Sequence, residues 1–177
     1  KLFSIPGKVK LIQGDQNLSI SHLTSDSRQA QNGCLFAAIS GDVSDGHNFI
    51  NQAIENGAVA ILTEKKSIKF PENVTILTSD NVRENFSKAC AKFWPSRPGF
   101  LVAVTGTNGK TSTVEFLRQI WERNTWNAVS VGTLGIRSSS DLNLPFSGLT
   151  TPPPEYLFSA LNDFSKQNIS YLALEAS

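Results

Sequence analysis

The stretch that most limits the fold is residues 100–121. An uninterrupted apolar run, Phe100-Leu101-Val102-Ala103-Val104, leads at once into Thr105-Gly106-Thr107-Asn108-Gly109-Lys110-Thr111, after which Val114, Leu117 and Trp121 recur at helical spacing. Such a run suits a central parallel strand covered on both faces. A glycine-rich turn between that strand and an amphipathic helix is the setting a phosphate-binding loop requires, because glycines let backbone N–H groups turn toward phosphate oxygens and the helix N-terminus adds partial positive charge. On this reading Gly106, Thr107, Asn108, Gly109, Lys110, Thr111 and Ser112 hold a nucleotide. Lys110 neutralises the β- and γ-phosphates, and the Thr111 hydroxyl completes a Mg²⁺ coordination sphere. The first glycine of the standard G-x-x-x-x-G-K-[ST] pattern falls on Val104, so the loop is a variant. A Gly-rich turn with a solvated lysine is the alternative.

Beyond residue 121 the alternation of strand and helix continues. Ala128-Val129-Ser130-Val131 reads as the next strand, residues 137–150 as a Ser-rich polar loop, and Pro152, Pro153 and Pro154 as the entry to a helix, where proline loses no intrahelical bond. Leu157, Ala160, Leu161 and Phe164 give that helix a buried face, and Ile169 to Leu174 form a third strand. Strand, glycine loop, helix, strand, helix, strand is the opening of a doubly wound α/β domain. Glu175, directly after the third strand, falls at the carboxyl edge of the sheet and could reach the same Mg²⁺ as Thr111; a charge that merely ends a strand reads the same way. Thr150 and Thr151, at the entry to the second helix, could hold an anionic substrate group, and helix capping explains them nearly as well.

Upstream, Trp94-Pro95-Ser96-Arg97-Pro98-Gly99 is strong punctuation and marks a domain boundary, giving domains 1–98 and 99–177. Before it, Cys34–Ile39, Ala58–Leu62 and Val74–Leu77 read as buried strands. One helix carries Phe49, Ile50, Ala53 and Ile54. Another carries Val82, Phe86, Ala89, Cys90 and Phe93, with Ser79-Asp80 as its N-cap. Thr24-Ser25-Asp26-Ser27-Arg28 and Asp42 to Asn48 read as polar turns, and His22 and His47 are too isolated to argue for a metal.

Sixteen Lys and Arg against fifteen Asp and Glu leave a net charge of +1, which gives no broad electrostatic reason to expect nucleic acid or an anionic membrane as partner. The two cysteines, Cys34 and Cys90, are far apart in apolar runs and read as buried thiols. No apolar run approaches the about 18 residues of a membrane span, so a cytoplasmic location is expected. The sequence contains no Met, even at position 1, from which a trimmed chain is expected.

These residues together resemble a family. Thr105 to Thr111 is similar to the ATP loop of the Mur ligases, the amide-forming enzymes of peptidoglycan precursor synthesis, and of the related folylpolyglutamate synthetases. Asp26-Ser27-Arg28, Gly33 to Ala38, Gly41, Asp45-Gly46-His47 and Ala53 with Gly57-Ala58 resemble the UDP-binding domain of that family's third and fourth ligases, which the synthetases lack. Leu149-Thr150-Thr151-Pro152 and Leu174-Glu175-Ala176-Ser177 resemble segments of the branch that adds a diamino acid, although Leu149 stands where the family often has Asn. The resemblance implies a small mixed-sheet UDP-binding domain, followed by the first half of a mostly parallel, doubly wound ATP-binding domain. It implies an ATP-dependent ligase joining diaminopimelate or lysine to UDP-N-acetylmuramoyl-L-alanyl-D-glutamate through an acyl phosphate. Ser25, Ser27 and the loop Asp42-Val43-Ser44 would contact UDP, and Thr150 and Thr151 the muramoyl-peptide portion. Lys110 and Thr111 would serve ATP and Mg²⁺, with Glu175 a further metal ligand. A monomer is expected, inactive as a ligase without the remainder of the family's chain. The alternatives are the D-alanyl-D-alanine-adding Mur ligase and a nucleotide or UDP-sugar binding module without turnover.

Overall fold

The computed structural model describes residues 8–41, 44–64, 70–140, 142 and 150–177. The chain divides into two compact units, Lys1–Phe93 and Trp94–Ser177.

In the first unit five strands form one sheet in the order β1-β5-β4-β3-β2: β1 is Val9–Gln13, β2 His22–Thr24, β3 Cys34–Ala37, β4 Ala58–Thr63 and β5 Thr75–Ser79. All neighbours run parallel except β1, which pairs antiparallel with β5, so the sheet is mixed. Alternate residues serve opposite faces. Cys34, Phe36, Ile61 and Ile76 pack with Ile50 and Ala53 of α1 (Ile50–Glu55) in one apolar cluster. Helix α2 (Val82–Phe93) buries Val82, Phe86, Ala89 and Cys90 and packs on β3, β4 and β5. Both cysteines are buried, and burial pushes the Cys34 thiol pKa up.

Two helix starts differ from expectation. Phe49 belongs to a 3₁₀ turn, Gly46–Phe49, and is exposed, so the buried stripe of the first helix starts at Ile50. The cap of α2 is Asn81, whose Oδ1 accepts from the Glu84 N–H at 3.0 Å while its Nδ2 donates to the Glu84 carboxylate at 3.1 Å. Ser79 instead is buried at the end of β5, where its hydroxyl oxygen accepts from Asn85 Nδ2 at 2.6 Å.

The second unit has the strand order β6-β9-β7-β8, with β6 Phe100–Val104, β7 Ala128–Gly132, β8 Gly135–Arg137 and β9 Tyr171–Glu175. The β6/β9 and β9/β7 pairs are parallel, and β7 and β8 form an antiparallel hairpin. Helix α3 (Lys110–Arg123) covers one face through Val114 and Trp121 over Ala128 and Ala173. Helix α4 (Pro154–Lys166) covers the other through Leu161 and Phe164 over Val129, Val131, Leu172 and Leu174. The apolar run of β6 was expected to be central. Among the described residues it is an edge strand bonded to β9 alone, with Phe100 50% and Leu101 40% exposed. An apolar run states that a strand tolerates cover on both faces, not that cover is present; here Val102 and Val104 lean under α3, and the alternate residues Leu101 and Ala103 stay exposed. Among the described residues no helix is long and apolar enough to cross a membrane.

Candidate functional site

The glycine-rich loop lies between β6 and α3, with residues 105–109 exposed. Gly106 and Gly109 take φ of +142° and +79°. A Cβ at Gly109 would meet nothing within 4 Å, so the left-handed backbone angle, not crowding, calls for glycine there. Gly109 is also the N-cap of α3 and offers no side chain to the first N–H groups of the helix. Those donors and the positive end of the helix dipole are left for an anion. Lys110 folds back so that its Nζ donates to the Gly106 carbonyl at 2.7 Å, and Thr113 donates to the Gly109 carbonyl at 2.8 Å. Thr111 is half-buried, while Thr107, Asn108 and Ser112 are exposed.

Glu175 is the last residue of β9 and lies in register with Val104, the residue that leads into the loop; the Ala176 N–H donates to the Val104 carbonyl at 2.9 Å. Its side chain is 1% exposed. Oε1 accepts from the Thr133 N–H at 2.9 Å and Oε2 from the Thr133 hydroxyl at 3.1 Å. A Cβ on Gly132 would run into this carboxyl group. Among the described residues no hydrogen bond joins Glu175 to Thr111, and no Lys, Arg or His pairs with it.

The two threonines at the start of α4 join the same cluster. Thr150 Oγ1 lies 3.2 Å from Thr133 Oγ1. Thr151 donates to the Glu175 carbonyl at 3.3 Å and accepts from the Ser177 N–H at 2.8 Å. The capping alternative for this pair falls away, since the N-cap of α4 is Pro153, without a side-chain cap bond. Sequence reasoning named Thr150, Thr151 and Glu175 as candidates but not Thr133, which hydrogen-bonds to both Thr150 and Glu175. Its one signal was position: it follows β7 at the carboxyl edge, where open α/β sheets bind ligands.

Behind the loop, α3 is tied to β7. Glu115 accepts from the Ser130 hydroxyl and, at 2.9 Å, from Arg118, which also donates to Glu122 at 2.5 Å; Glu122 in turn accepts from the Ser139 N–H at 2.6 Å. Burial pushes the Glu115 carboxyl pKa up, but the bonds from Arg118 and Ser130 outweigh it and hold the group below its usual value.

In the first unit Ser27 is buried, and its hydroxyl donates to Gln52 of α1 at 2.6 Å. Ser25 is half-buried. Asp26 caps the 3₁₀ turn Ser27–Gln29 and pairs with the exposed Arg28 at 2.7 Å, a contact that holds its pKa below the usual carboxylate range. Ser44 is exposed, and its carbonyl accepts from the Gly41 N–H at 3.0 Å, which draws together the ends of the expected UDP loop. Asp42, Val43 and Leu149 lie outside the described residues. Asp45 accepts from the His47 N–H at 3.0 Å and from Ser40 at 3.1 Å, and lies 2.5 Å from His47 Nδ1; the bonds from His47 hold its carboxyl far below the usual range. Among the described residues no group of three His, Cys, Asp or Glu could hold a metal ion.

Two family models match the chain: "Mur ligase family, catalytic domain" over residues 19–94 and "Mur ligase middle domain" over residues 104–177. The UDP-N-acetylmuramoyl-L-alanyl-D-glutamate--2,6-diaminopimelate ligase of Brucella melitensis biotype 1 is 39% identical over 160 residues, covering 90% of this chain and 32% of that protein. The ligase of the same name from Caulobacter vibrioides is 39% identical over 162 residues, covering 89% and 33%. A solved structure of a ligase of that name superimposes with a TM-score of 0.71 at 25% identity, over 89% of this chain and 32% of that one. The MurF ligase of Thermotoga maritima in complex with ADP does so with a TM-score of 0.56 at 26% identity, over 92% and 33%. The chain thus spans about a third of the length of the curated relatives it matches.

Proposed function

Since the chain belongs to the Mur ligase family, of which it carries an amino-terminal and a middle domain, we propose that it forms the UDP-sugar-binding part and the first portion of the ATP site of an amide ligase. The substrate is UDP-N-acetylmuramoyl-L-alanyl-D-glutamate and the acceptor 2,6-diaminopimelate, as in the names of the two relatives at 39% identity. The observation that carries this reading is the loop 105–111, with Gly109 left-handed at the N-cap of α3 and Lys110 folded over it. The ADP named with the Thermotoga maritima MurF ligase supports nucleotide binding. The higher TM-score of the diaminopimelate-adding ligase, 0.71 against 0.56, favours that branch over the D-alanyl-D-alanine-adding one. A cytoplasmic location in a bacterium belongs to the same reading.

In this scheme the D-glutamate side-chain carboxylate attacks the γ-phosphorus of ATP, ADP leaves, and the incoming amine displaces phosphate. Such a step needs alignment and charge neutralisation more than covalent help from the protein. Lys110 and the open N–H groups of α3 supply positive charge along the phosphates. Thr150 and Thr151 orient the muramoyl-peptide portion. Ser25, Asp42, Val43 and Ser44 are assigned to UDP; Ser27, turned inward on Gln52, shapes that site through α1. The residues fit a magnesium ion, because Glu175 is a buried carboxylate without a cationic partner among the described residues, and nucleotide-bound Mg²⁺ typically takes only one or two protein carboxylates. Thr111 and Glu175 would hold it, and when bound it supplies charge neutralisation at the β- and γ-phosphates.

Calorimetry on the 177-residue chain tests the proposal. The chain binds ADP and the UDP-muramoyl-dipeptide, and Lys110→Ala weakens ADP by about tenfold or more, the worth of a charge-assisted contact, while leaving UDP-muramoyl-dipeptide affinity unchanged. No ADP binding to the unaltered chain, or equal loss of both ligands in the variant, overturns it.

A further inference from the structure

We infer that Thr133 is a positioning residue: its N–H and hydroxyl hold the Glu175 carboxylate in the orientation in which it meets a nucleotide-bound divalent cation, and its hydroxyl ties that carboxylate to Thr150. The inference rests on the proposed nucleotide and metal roles of Lys110, Thr111 and Glu175.

Burying a carboxylate is costly unless charge or hydrogen bonds compensate it. Glu175 is 1% exposed, and among the described residues the side chain's hydrogen bonds come from Thr133, its N–H at 2.9 Å on Oε1 and its hydroxyl at 3.1 Å on Oε2. Donors on both oxygens fix the plane of the carboxyl group. They are neutral, so they set direction without cancelling charge. A carboxylate has about four acceptor positions; the remaining ones are left for a cation.

The hydroxyl geometry adds a second link. Thr133 has one hydroxyl proton, and the carboxylate, an acceptor only when ionised, claims it. In the 3.2 Å contact between Thr133 and Thr150 the donor is then Thr150. The hydroxyls then run Thr150 to Thr133 to Glu175, so that the Thr150 proton is spent and its oxygen can only accept. A substrate N–H or O–H is thereby favoured at Thr150 over an anionic oxygen, and the metal carboxylate and the substrate threonine share one orienting residue. Gly132 completes the arrangement, since a side chain there would occupy the carboxyl group's space.

The test is ADP calorimetry on the full 177-residue chain, with EDTA and with Mg²⁺, read as the ratio of the two dissociation constants. The unaltered chain binds ADP more tightly with Mg²⁺. Thr133→Val lowers that ratio by about tenfold, toward one, as expected for a lost hydrogen bond to a charged group, with the metal-free affinity unchanged. Thr133→Ser restores the ratio. Glu175→Gln lowers it likewise, and the double variant Thr133→Val/Glu175→Gln is no weaker than Glu175→Gln alone, because the two groups act as one unit. Thr133 is exposed, so folding should survive; Thr133→Ala, expected to behave as valine does, serves if the branched side chain disturbs the turn. An unchanged ratio in Thr133→Val, a failure of serine to rescue, or additive losses overturn the inference. If the unaltered chain binds ADP with no Mg²⁺ dependence, the nucleotide reading stands and this inference falls. If it binds no ADP at all, both fall.

Discussion

Gly132 and Glu175 illustrate how a single missing side chain can serve a charged one. The Glu175 carboxyl group lies where the Cβ of any other residue at 132 would be, and it is 1% exposed with both oxygens bonded to Thr133. Gly132→Ala should therefore cost about 1–3 kcal/mol by overpacking, read as a lower midpoint in thermal or urea unfolding. It should also remove the Mg²⁺-dependent part of ADP binding. An unchanged midpoint would mean that Glu175 relocates freely. Lys110, Thr111 and Glu175 could be named as candidates from the sequence because a glycine-rich turn and a strand end suggest chemistry at fixed positions. Thr133 could not, because a threonine after a strand is ordinary until the carboxylate on the neighbouring strand is seen to accept from it. Ser27 is a different case: it lies in a segment that resembles a UDP-binding motif, and in the structure its hydroxyl donates to Gln52.

Helix α3 has its apolar stripe, Val114, Leu117 and Trp121, on the face its spacing foretells. What anchors it to β7 is polar, and the sequence did not reveal it: Glu115 bonded to Ser130 on the strand and to Arg118 on the helix. The lowered pKa of Glu115 fixes the sign of its pH dependence. A carboxyl group more acidic in the folded chain than in the unfolded one stabilises above its unfolded pKa, near the ordinary value of 4.5, and loses that contribution as the pH falls through the lowered folded value. Unfolding curves should show the unaltered protein more stable than Glu115→Gln at pH 7, with the gap closing below about pH 4.5; a gap independent of pH would contradict the ion pair's role. Strands β1 and β2 escaped the sequence reading for a simple reason. Val9–Gln13 alternates between half-buried and exposed residues with two polar members, and His22–Thr24 is three residues long. Neither carries the continuous apolar signal that revealed β3, β4 and β6. The α2 cap shifted from Ser79-Asp80 to Asn81 because Ser79 is drawn into the sheet.

Two compact units, Lys1–Phe93 and Trp94–Ser177, predict separable behaviour. The three tryptophans, Trp94, Trp121 and Trp126, all fall in the second unit, so tryptophan fluorescence reports that unit. Phe36, fully buried in the first, should cost about 3–5 kcal/mol when changed to alanine. Phe36→Ala should speed amide hydrogen exchange across the first unit and leave the fluorescence-detected transition in place; a shared shift would mean that the two unfold as one. By itself the sequence determined the α/β class, the glycine-rich loop with its helix, the buried runs and the family, because these follow from periodicity, from motif residues and from backbone angles that only particular residues adopt. Tertiary structure alone decided that β6 pairs with β9 alone among the described residues, that Thr133 joins Glu175 to Thr150, and that Ser27 faces inward. Those facts depend on which strands become neighbours and which side chains meet across them. Thr133 and Glu175 are 42 positions apart along the chain, and their order carries no mark of that meeting.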